Sequence, residues 1–285
     1  MSKVVFITGT STGFGKLMTI TLAKAGYCVI AGMRGTTGKN EVVANKLAAM
    51  ANVEVVEIDV ASDESVRAAF ETVFSKHDTV DILVNNAAIT GYGLLEAYSI
   101  DQIRRMFEVN FYGVIRTYQA VLPAMRKAKK GLIINITSGA SGHTLPFMIP
   151  YFASKFGVES ITEGLQAELA QFGIDNVSIQ PGVYPTEMNN GSKADLSSDK
   201  PEITEAYDPV ATEMFNAMGG NLHRKMVEYN MDPQVIADGV FAIISMKDGS
   251  RPLRYPLDAV AEGTDLEFIN ARAEIKAKWL AQYAS

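Results

Sequence analysis

Short apolar, β-branched runs alternate with longer stretches of helical spacing along most of this chain, and few folds accommodate that rhythm. Val4–Thr8, Cys28–Gly32, Val53–Ile58, Ile82–Asn85, Leu132–Thr137 and Val177–Gln180 are near-continuous apolar runs of strand length, as expected of strands buried on both faces. Between them Gly15–Ala25, Glu41–Met50, Ser62–Ser75, Ile100–Met125 and Phe152–Ala170 repeat apolar residues at helical spacing. Strand and helix in regular turn predict an α/β fold, a doubly wound parallel sheet with helices on both faces. The rhythm lapses from Glu187 to about Tyr229, a polar, Met-containing stretch read as a substrate loop or lid. A strand at Arg254–Leu257 and a helix at Leu266–Tyr283 are expected to complete the fold.

No repeat, low-complexity tract or Pro/Gly linker divides the 285 residues, so residues 1–285 read as one domain. With 47% hydrophobic and 20% charged residues the composition is globular. A net charge of −6 argues against nucleic acid or an anionic membrane as partner. No window approaches the ~18–20 apolar residues of a membrane span, and Lys3 followed by the brief run Val4–Ile7 is too short for a secretory signal. Cys28 is the only cysteine, which excludes an intrachain disulfide and a cysteine cage for metal, and suits a reducing, cytoplasmic setting. His77, His143 and His223 are scattered, so no metal ligands are expected.

The first strand runs into Gly9-Thr10-Ser11-Thr12-Gly13-Phe14-Gly15. Glycines between a strand and a helix let backbone N–H groups approach a pyrophosphate, with the helix N-terminus adding partial positive charge. The expectation is a Rossmann-type dinucleotide site. Where such a fold places an acid for the ribose hydroxyls, after the second strand, this chain has Arg34, and the next acid is Glu41. A forked cation suits a 2′-phosphate, with Ser11 assisting, so NADP(H) is expected over NAD(H).

Tyr151 and Lys155 follow Pro150, a residue favoured in the first turn of a helix, and the i, i+4 spacing puts both on one face. A cation beside a phenol favours phenolate, so the pair reads as a proton donor and its tuner. Ser138 lies just past the fifth strand, at the sheet's ligand-binding end. Asn110 interrupts a helical stretch and could serve hydrogen bonding alone.

These residues, in this order, resemble the short-chain dehydrogenase/reductase family in its single-domain branch. Thr8, Gly9, Gly13 and Gly15 match its nucleotide-binding pattern, Asp59-Val60 its adenine contact, and Asn85-Asn86-Ala87 the motif that steadies the central sheet, with Ala88 where the family usually has glycine. Asn110, Ser138, Tyr151 and Lys155 match the catalytic tetrad, and Pro181-Gly182-Val183 with Thr186 the segment at the nicotinamide end. With Ser11, Thr12 and Phe14 of the turn and Arg34, these are the expected cofactor contacts, Tyr151 and Lys155 included. The resemblance implies that Tyr151 protonates a carbonyl oxygen as hydride reaches the carbon, that Ser138 hydrogen-bonds that oxygen, that Lys155 lowers the tyrosine pKa and holds the nicotinamide ribose, and that Asn110 positions a water.

It also implies a substrate site among Gly91–Leu95, His143–Ile149, Tyr184, Met188, Met214, Phe215 and Met218, an apolar lining suited to a hydrophobic ketone, aldehyde or alcohol and loosely similar to hydroxysteroid and retinol dehydrogenase-like members. A homodimer or homotetramer is expected through the helices around Asn110–Met125 and Phe152–Ala170. A non-catalytic NADP(H)-binding regulator would need no intact tetrad. A sugar-nucleotide epimerase or dehydratase would carry a longer C-terminal domain and a different glycine spacing.

Overall fold

The computed structural model describes residues 2–139, 141–189 and 198–283. Seven parallel strands form one sheet in the order β3-β2-β1-β4-β5-β6-β7, with β1 Val4–Thr8, β2 Cys28–Met33, β3 Val53–Glu57, β4 Ile82–Asn85, β5 Gly131–Ile136, β6 Ile174–Pro181 and β7 Arg254–Leu257. The expected strands agree with these to within a few residues. The order reverses between β1 and β4, and a crevice opens at the carboxyl ends of the strands at such a switch point.

Two apolar layers flank the sheet. Alternate residues of β1 take opposite sides: Phe6 joins one cluster with Ile30, Leu83 and Ile133, while Val5 and Ile7 join the other with Val29, Val84 and Ile134. The first layer is closed by α3 (Asp63–Phe74), α5 (Gly113–Ala128) and α6 (Ile149–Ala170), the second by α1 (Gly13–Lys24), α2 (Glu41–Ala48) and α9 (Gln234–Ser245). Helix α9 was not expected from the sequence. Its buried residues Ile236, Ala237, Val240, Ile243 and Ile244 do fall at helical spacing, while Val235 and Phe241 put apolar residues on its exposed face as well and blur the pattern.

The stretch expected as one long helix over Ile100–Met125 is instead α4 (Ile100–Phe107), a π-helical turn over Glu108–Tyr112, and α5. Asn110 causes no break, because the wider turn carries it inward, 1% exposed. Part of the stretch expected as a substrate loop or lid, 187–229, is helical. Residues 190–197 lie outside the described residues, but beyond them the chain forms α7 (Pro201–Tyr207) and α8 (Val210–Glu228) rather than an irregular loop. Helix α8 repeats Val210, Met214, Met218, Leu222 and Met226 at helical spacing, a pattern passed over in reading the stretch as a loop, and it buries only Ala211. The chain ends with α10 (Thr264–Ala281), close to the expected helix. Among the described residues no helix is long and apolar enough to cross a membrane.

Candidate active site

The turn after β1 is held open by contacts that require glycine. Gly9 has φ +71°, and a Cβ there would stand 2.8 Å from Ala87 Cα; a Cβ on Gly15 would stand 2.2 Å from the Gly9 carbonyl oxygen. The turn is tied to β4 from both sides. Thr8 Oγ1 accepts from the N–H groups of Asn86 and Ala87, each at 3.0 Å, and Asn86 Nδ2 donates to the carbonyls of Thr8 and Gly9 at 2.9 and 3.1 Å. Asn85 turns the other way, into a buried chain in which Thr117 donates to Asn85 at 2.6 Å, Asn85 to Asn135 at 2.9 Å, and Asn135 to Tyr118 at 2.7 Å. Satisfied networks of this kind fix one arrangement of strands and helices, which accords with the steadying role expected of Asn85-Asn86-Ala87.

A cleft of about 300 Å³ runs across the switch point. Of the expected cofactor contacts, Gly9, Ser11, Thr12, Gly13, Phe14, Arg34, Asp59, Val60, Asn86, Ala87 and Thr186 line it, together with Ala88. Gly15, Tyr151, Lys155, Pro181, Gly182 and Val183 do not. Gly15 works from beneath by its close approach to Gly9. Pro181 and Gly182 brace the far end instead, the Pro181 carbonyl accepting from Gly139 N at 2.7 Å and Gly182 N donating to Leu257 O at 3.0 Å.

The donor set fits a dinucleotide. A backbone cradle no Cβ could enter stands at the N-terminus of α1, and two cations, Arg34 and Lys39, stand at the other end of the cleft. Arg34 is 3.7 Å from Asp59, with 41% and 39% of the two side chains exposed, a loose pair that leaves the guanidinium available. Lys39 was missed by sequence reasoning. Its signal was the loop Gly35-Thr36-Thr37-Gly38-Lys39-Asn40 just after β2, which is folded over by Glu57: that carboxylate accepts from Gly35 N and Thr36 N at 2.7 Å each and from Thr36 Oγ1 at 2.6 Å. Burial raises the Glu57 carboxyl, but these bonds and Arg34 outweigh it and hold the group below its ordinary value.

Glu187 was missed as well. Its Oε2 accepts from Gly13 N at 3.1 Å, so a carboxylate of this chain sits where an anion would be drawn by the first turn of α1. A phosphate would compete with it. Glu187→Gln is therefore expected to tighten binding of a reduced nicotinamide dinucleotide by up to about fivefold, the scale of an exposed charge interaction, as read by fluorescence titration; unchanged or weaker binding would show that Glu187 does not oppose a phosphate at this turn.

The tetrad residues converge from β5, α6 and the π-helical turn. Lys155, 4% exposed, donates from Nζ to Ile136 O at 2.8 Å, which places its amine two residues before Ser138 at the end of β5. Ser138 is held in a tight turn, its N–H donating to Ser141 Oγ at 3.0 Å and its carbonyl accepting from Ser141 N at 2.9 Å. Asn110 Oδ1 accepts from Ile89 N at 2.8 Å, and its Nδ2 donates to Ile89 O at 2.9 Å and Ser154 Oγ at 3.0 Å. Both amide hydrogens are thus committed to clamping α6 against the loop after β4.

One electrostatic expectation is reversed. Lys155 Nζ stands 5.8 Å from the centroid of the Tyr151 ring and gives a hydrogen bond to Ile136 rather than to the phenol. Burial is the largest influence on both groups: it pushes the Tyr151 phenol up, with Tyr92 adding to the rise, and brings Lys155 down to about 8. Both are driven toward their neutral forms. A neutral phenol is the form that can donate a proton.

Beside Tyr151, the residues Tyr92, Leu145, Met148 and Phe152 pack into a small apolar cluster. Helix α8 brings Phe215 against it, with ring centroids 6.3 Å from Tyr92 and 5.4 Å from Phe147. Ser198 N donates to Tyr92 O at 3.3 Å and Tyr207 to Glu96 at 2.7 Å, which seats α7 on the loop after β4. Two expected lining residues stand elsewhere. Tyr184 is 2% exposed in a separate cluster with Met231 and Ile236, its hydroxyl donating to Leu257 O at 2.9 Å, and His143 faces Phe268 of α10 at 6.4 Å. Met214 is half exposed.

A glycine-cradled cleft at the switch point, beside a Ser, Tyr, Lys and Asn set on β5, α6 and a π-turn, defines a dinucleotide-dependent α/β enzyme. The family model described as short chain dehydrogenase matches residues 3–197. The chain is 32% identical to an uncharacterized oxidoreductase, YusZ, of Bacillus subtilis over 90% of this chain and 89% of that protein. It is 32% identical to human retinol dehydrogenase 8 over 88% and 79%. A short-chain dehydrogenase from Streptomyces avermitilis superposes with a TM-score of 0.77 at 26% identity, covering 100% of this chain and 98% of that one. A gluconate 5-dehydrogenase from Burkholderia cenocepacia, in complex with NADP and tartrate, gives 0.62 at 33% identity over 67% and 75%. The chain belongs to the short-chain dehydrogenase family and is an oxidoreductase.

Proposed function

We propose that this enzyme is an NADP(H)-dependent reductase that interconverts a hydrophobic ketone or aldehyde with its alcohol. The observation that carries the cofactor reading is the pair of cations, Arg34 and Lys39, lining the cleft just after β2 with no carboxylate ending that strand. The NADP complex of the gluconate 5-dehydrogenase supports it. The cofactor would be held by the Gly9–Gly15 turn, Asp59-Val60, Asn86-Ala87 and Thr186, with Arg34 and Lys39 on the 2′-phosphate, and would supply the hydride.

Around it the chain's own residues handle the proton. The neutral phenol of Tyr151 donates to the substrate oxygen, and the hydroxyl of Ser138 hydrogen-bonds that oxygen as negative charge develops. Lys155, poised to take up a proton near neutrality, supplies the positive charge that makes the resulting phenolate tolerable. Asn110 holds α6 in register, and a water in the relay to Lys155 would rest on backbone groups freed by the π-turn, since its amide hydrogens serve Ile89 and Ser154. The apolar cluster of Tyr92, Leu145, Met148 and Phe152, roofed by Phe215, supports an apolar substrate, as does the likeness to a retinol dehydrogenase. A cytoplasmic homodimer or homotetramer fits Tyr112 and Phe156, exposed on the helices expected to pair.

Oxidation of NADPH and of NADH against a panel of apolar ketones and aldehydes tests the reading. NADPH is expected to be preferred, and Arg34→Asp to weaken its binding roughly 10–100-fold, the worth of a charge-assisted bond to phosphate, with NADH little affected. A preference for NADPH that survives Arg34→Asp would remove the assignment.

A further inference from the structure

The sheet brings together at its amino end three residues that the sequence scatters. Cys28 opens β2 and Glu54 lies in β3, whose register pairs Ile30 with Glu54. Residues paired in register or two apart on a strand share a face, so Cys28, Ile30 and Glu54 all look toward α3. The turn that follows α3 supplies His77, whose N–H is bonded to Val73 O at 2.9 Å. As a result a thiol sulfur, an imidazole nitrogen and a carboxylate oxygen lie within 4.8 Å of one another.

The three are accessible without being loose. Cys28 is partly buried, and the His77 and Glu54 side chains are 18% and 32% exposed. His77 Nε2 stands 2.9 Å from Glu54 Oε1, while Lys76 Nζ holds the other oxygen, Oε2, at 2.9 Å and so fixes which oxygen faces the imidazole. In a tetrahedral zinc site, ligand atoms of these types lie about 3.3–3.6 Å apart, so modest side-chain rotation would bring them onto one centre.

We infer that Cys28, His77 and Glu54 form a binding site for a single divalent transition metal of the zinc class, through Sγ, a ring nitrogen and Oε1, with one position left to solvent. One soft, one borderline and one hard ligand suit zinc or cobalt over magnesium or calcium, which take oxygen ligands. On binding, Cys28 gives up its thiol proton and His77 ligates as neutral imidazole, while Lys76 remains on Oε2 as an outer partner orienting the carboxylate. The site stands at the opposite end of β2 from Arg34, roughly 20 Å away for a six-residue strand. It ties β2, β3 and the end of α3 together and takes no part in hydride transfer.

Because Cys28 is the only cysteine of the chain, a thiolate-to-cobalt charge-transfer band can report only this residue. The full-length protein, kept reduced with a phosphine, is titrated with Co²⁺. The expected result is a near-ultraviolet thiolate band with tetrahedral visible absorption, saturating at one equivalent and displaced by one equivalent of Zn²⁺. Cys28→Ser should abolish the band, and His77→Gln and Glu54→Gln should each weaken binding by at least ~tenfold, on the scale of losing a metal-site partner. The two latter variants change partly exposed side chains, so they keep the test open should Cys28→Ser fold poorly. Absence of the thiolate band at one equivalent would overturn the inference. So would binding of undiminished strength in both His77→Gln and Glu54→Gln, which would mean that the thiol binds alone.

Discussion

Tyr151→Phe is expected to lower NADPH-dependent turnover of any carbonyl substrate by about 10²–10⁴-fold, the usual worth of a positioned general acid, while NADPH binding stays within about threefold. The ring would remain, so its packing against Phe152, Met148, Leu145 and Tyr92 is retained and only the hydroxyl is lost. Burial keeps the phenol protonated at neutral pH. That is the state required of a donor, and the loss should therefore fall on kcat rather than on KM. Steady-state kinetics with titration of NADPH by fluorescence would check both halves. Turnover within tenfold of wild type would assign the proton to another group.

Lys155→Met should separate stability from activity. A buried amine brought from about 10.5 down to about 8 costs the folded state roughly 3 kcal/mol at neutral pH relative to the unfolded chain. Methionine of similar length carries no charge to bury. Against this gain stands the hydrogen bond to Ile136 O, worth about 1 kcal/mol, plus the cost of leaving that carbonyl unpaired. The net expectation is a protein stabilised by about 1 kcal/mol, with Tm higher by about 2 °C at neutral pH, and inactive by at least about 10²-fold.

The pH dependence carries a definite sign. Between the folded value near 8 and the unfolded value near 10.5, the unfolded chain binds more protons, so wild-type stability rises with pH through that window and the penalty disappears. The penalty should fall by about 2 kcal/mol between about pH 7 and about pH 9.5, which turns the advantage of Lys155→Met into a deficit of about 1 kcal/mol. Scanning calorimetry of both proteins at the two pH values would read it directly. An advantage that stays constant with pH would mean that Lys155 is not held below its ordinary value.

Much of the cofactor half of the site was legible because backbone chemistry dictates it. Gly9 and Gly15 are required wherever a strand turns into a helix at a distance that excludes a Cβ, and that requirement is visible in the residue types themselves. Arg34 was legible for a similar reason, since a strand end fixes where the next side chain stands. Lys39 was not, because its place in the cleft depends on Glu57 gathering the loop from a neighbouring strand. Glu187 was invisible for the same cause: its partner, Gly13, is 174 positions away.

The substrate side was read less well. Apolar residues along Gly91–Leu95 and His143–Ile149 do meet beside Tyr151, but Tyr184 was assigned to the lining and is instead sealed in a cluster of its own. Helices α8 and α9 were passed over although both carry apolar residues at helical spacing; α8 buries only Ala211, while in α9 the exposed Val235 and Phe241 add apolar residues outside the buried face and blur its pattern.

What the sequence determined by itself was therefore local or periodic: the strand and helix rhythm, the glycine turn, and a Tyr–Lys pair one helical turn apart. The tertiary structure alone decided which way the pKa values of that pair move, because burial, not the neighbouring cation, is the largest influence on both groups. It alone brought Cys28, Glu54 and His77 within ligand distance. The physical reason is common to both: desolvation and long-range convergence depend on which strands lie side by side and on what packs over them, and neither quantity is carried by residues adjacent in the chain.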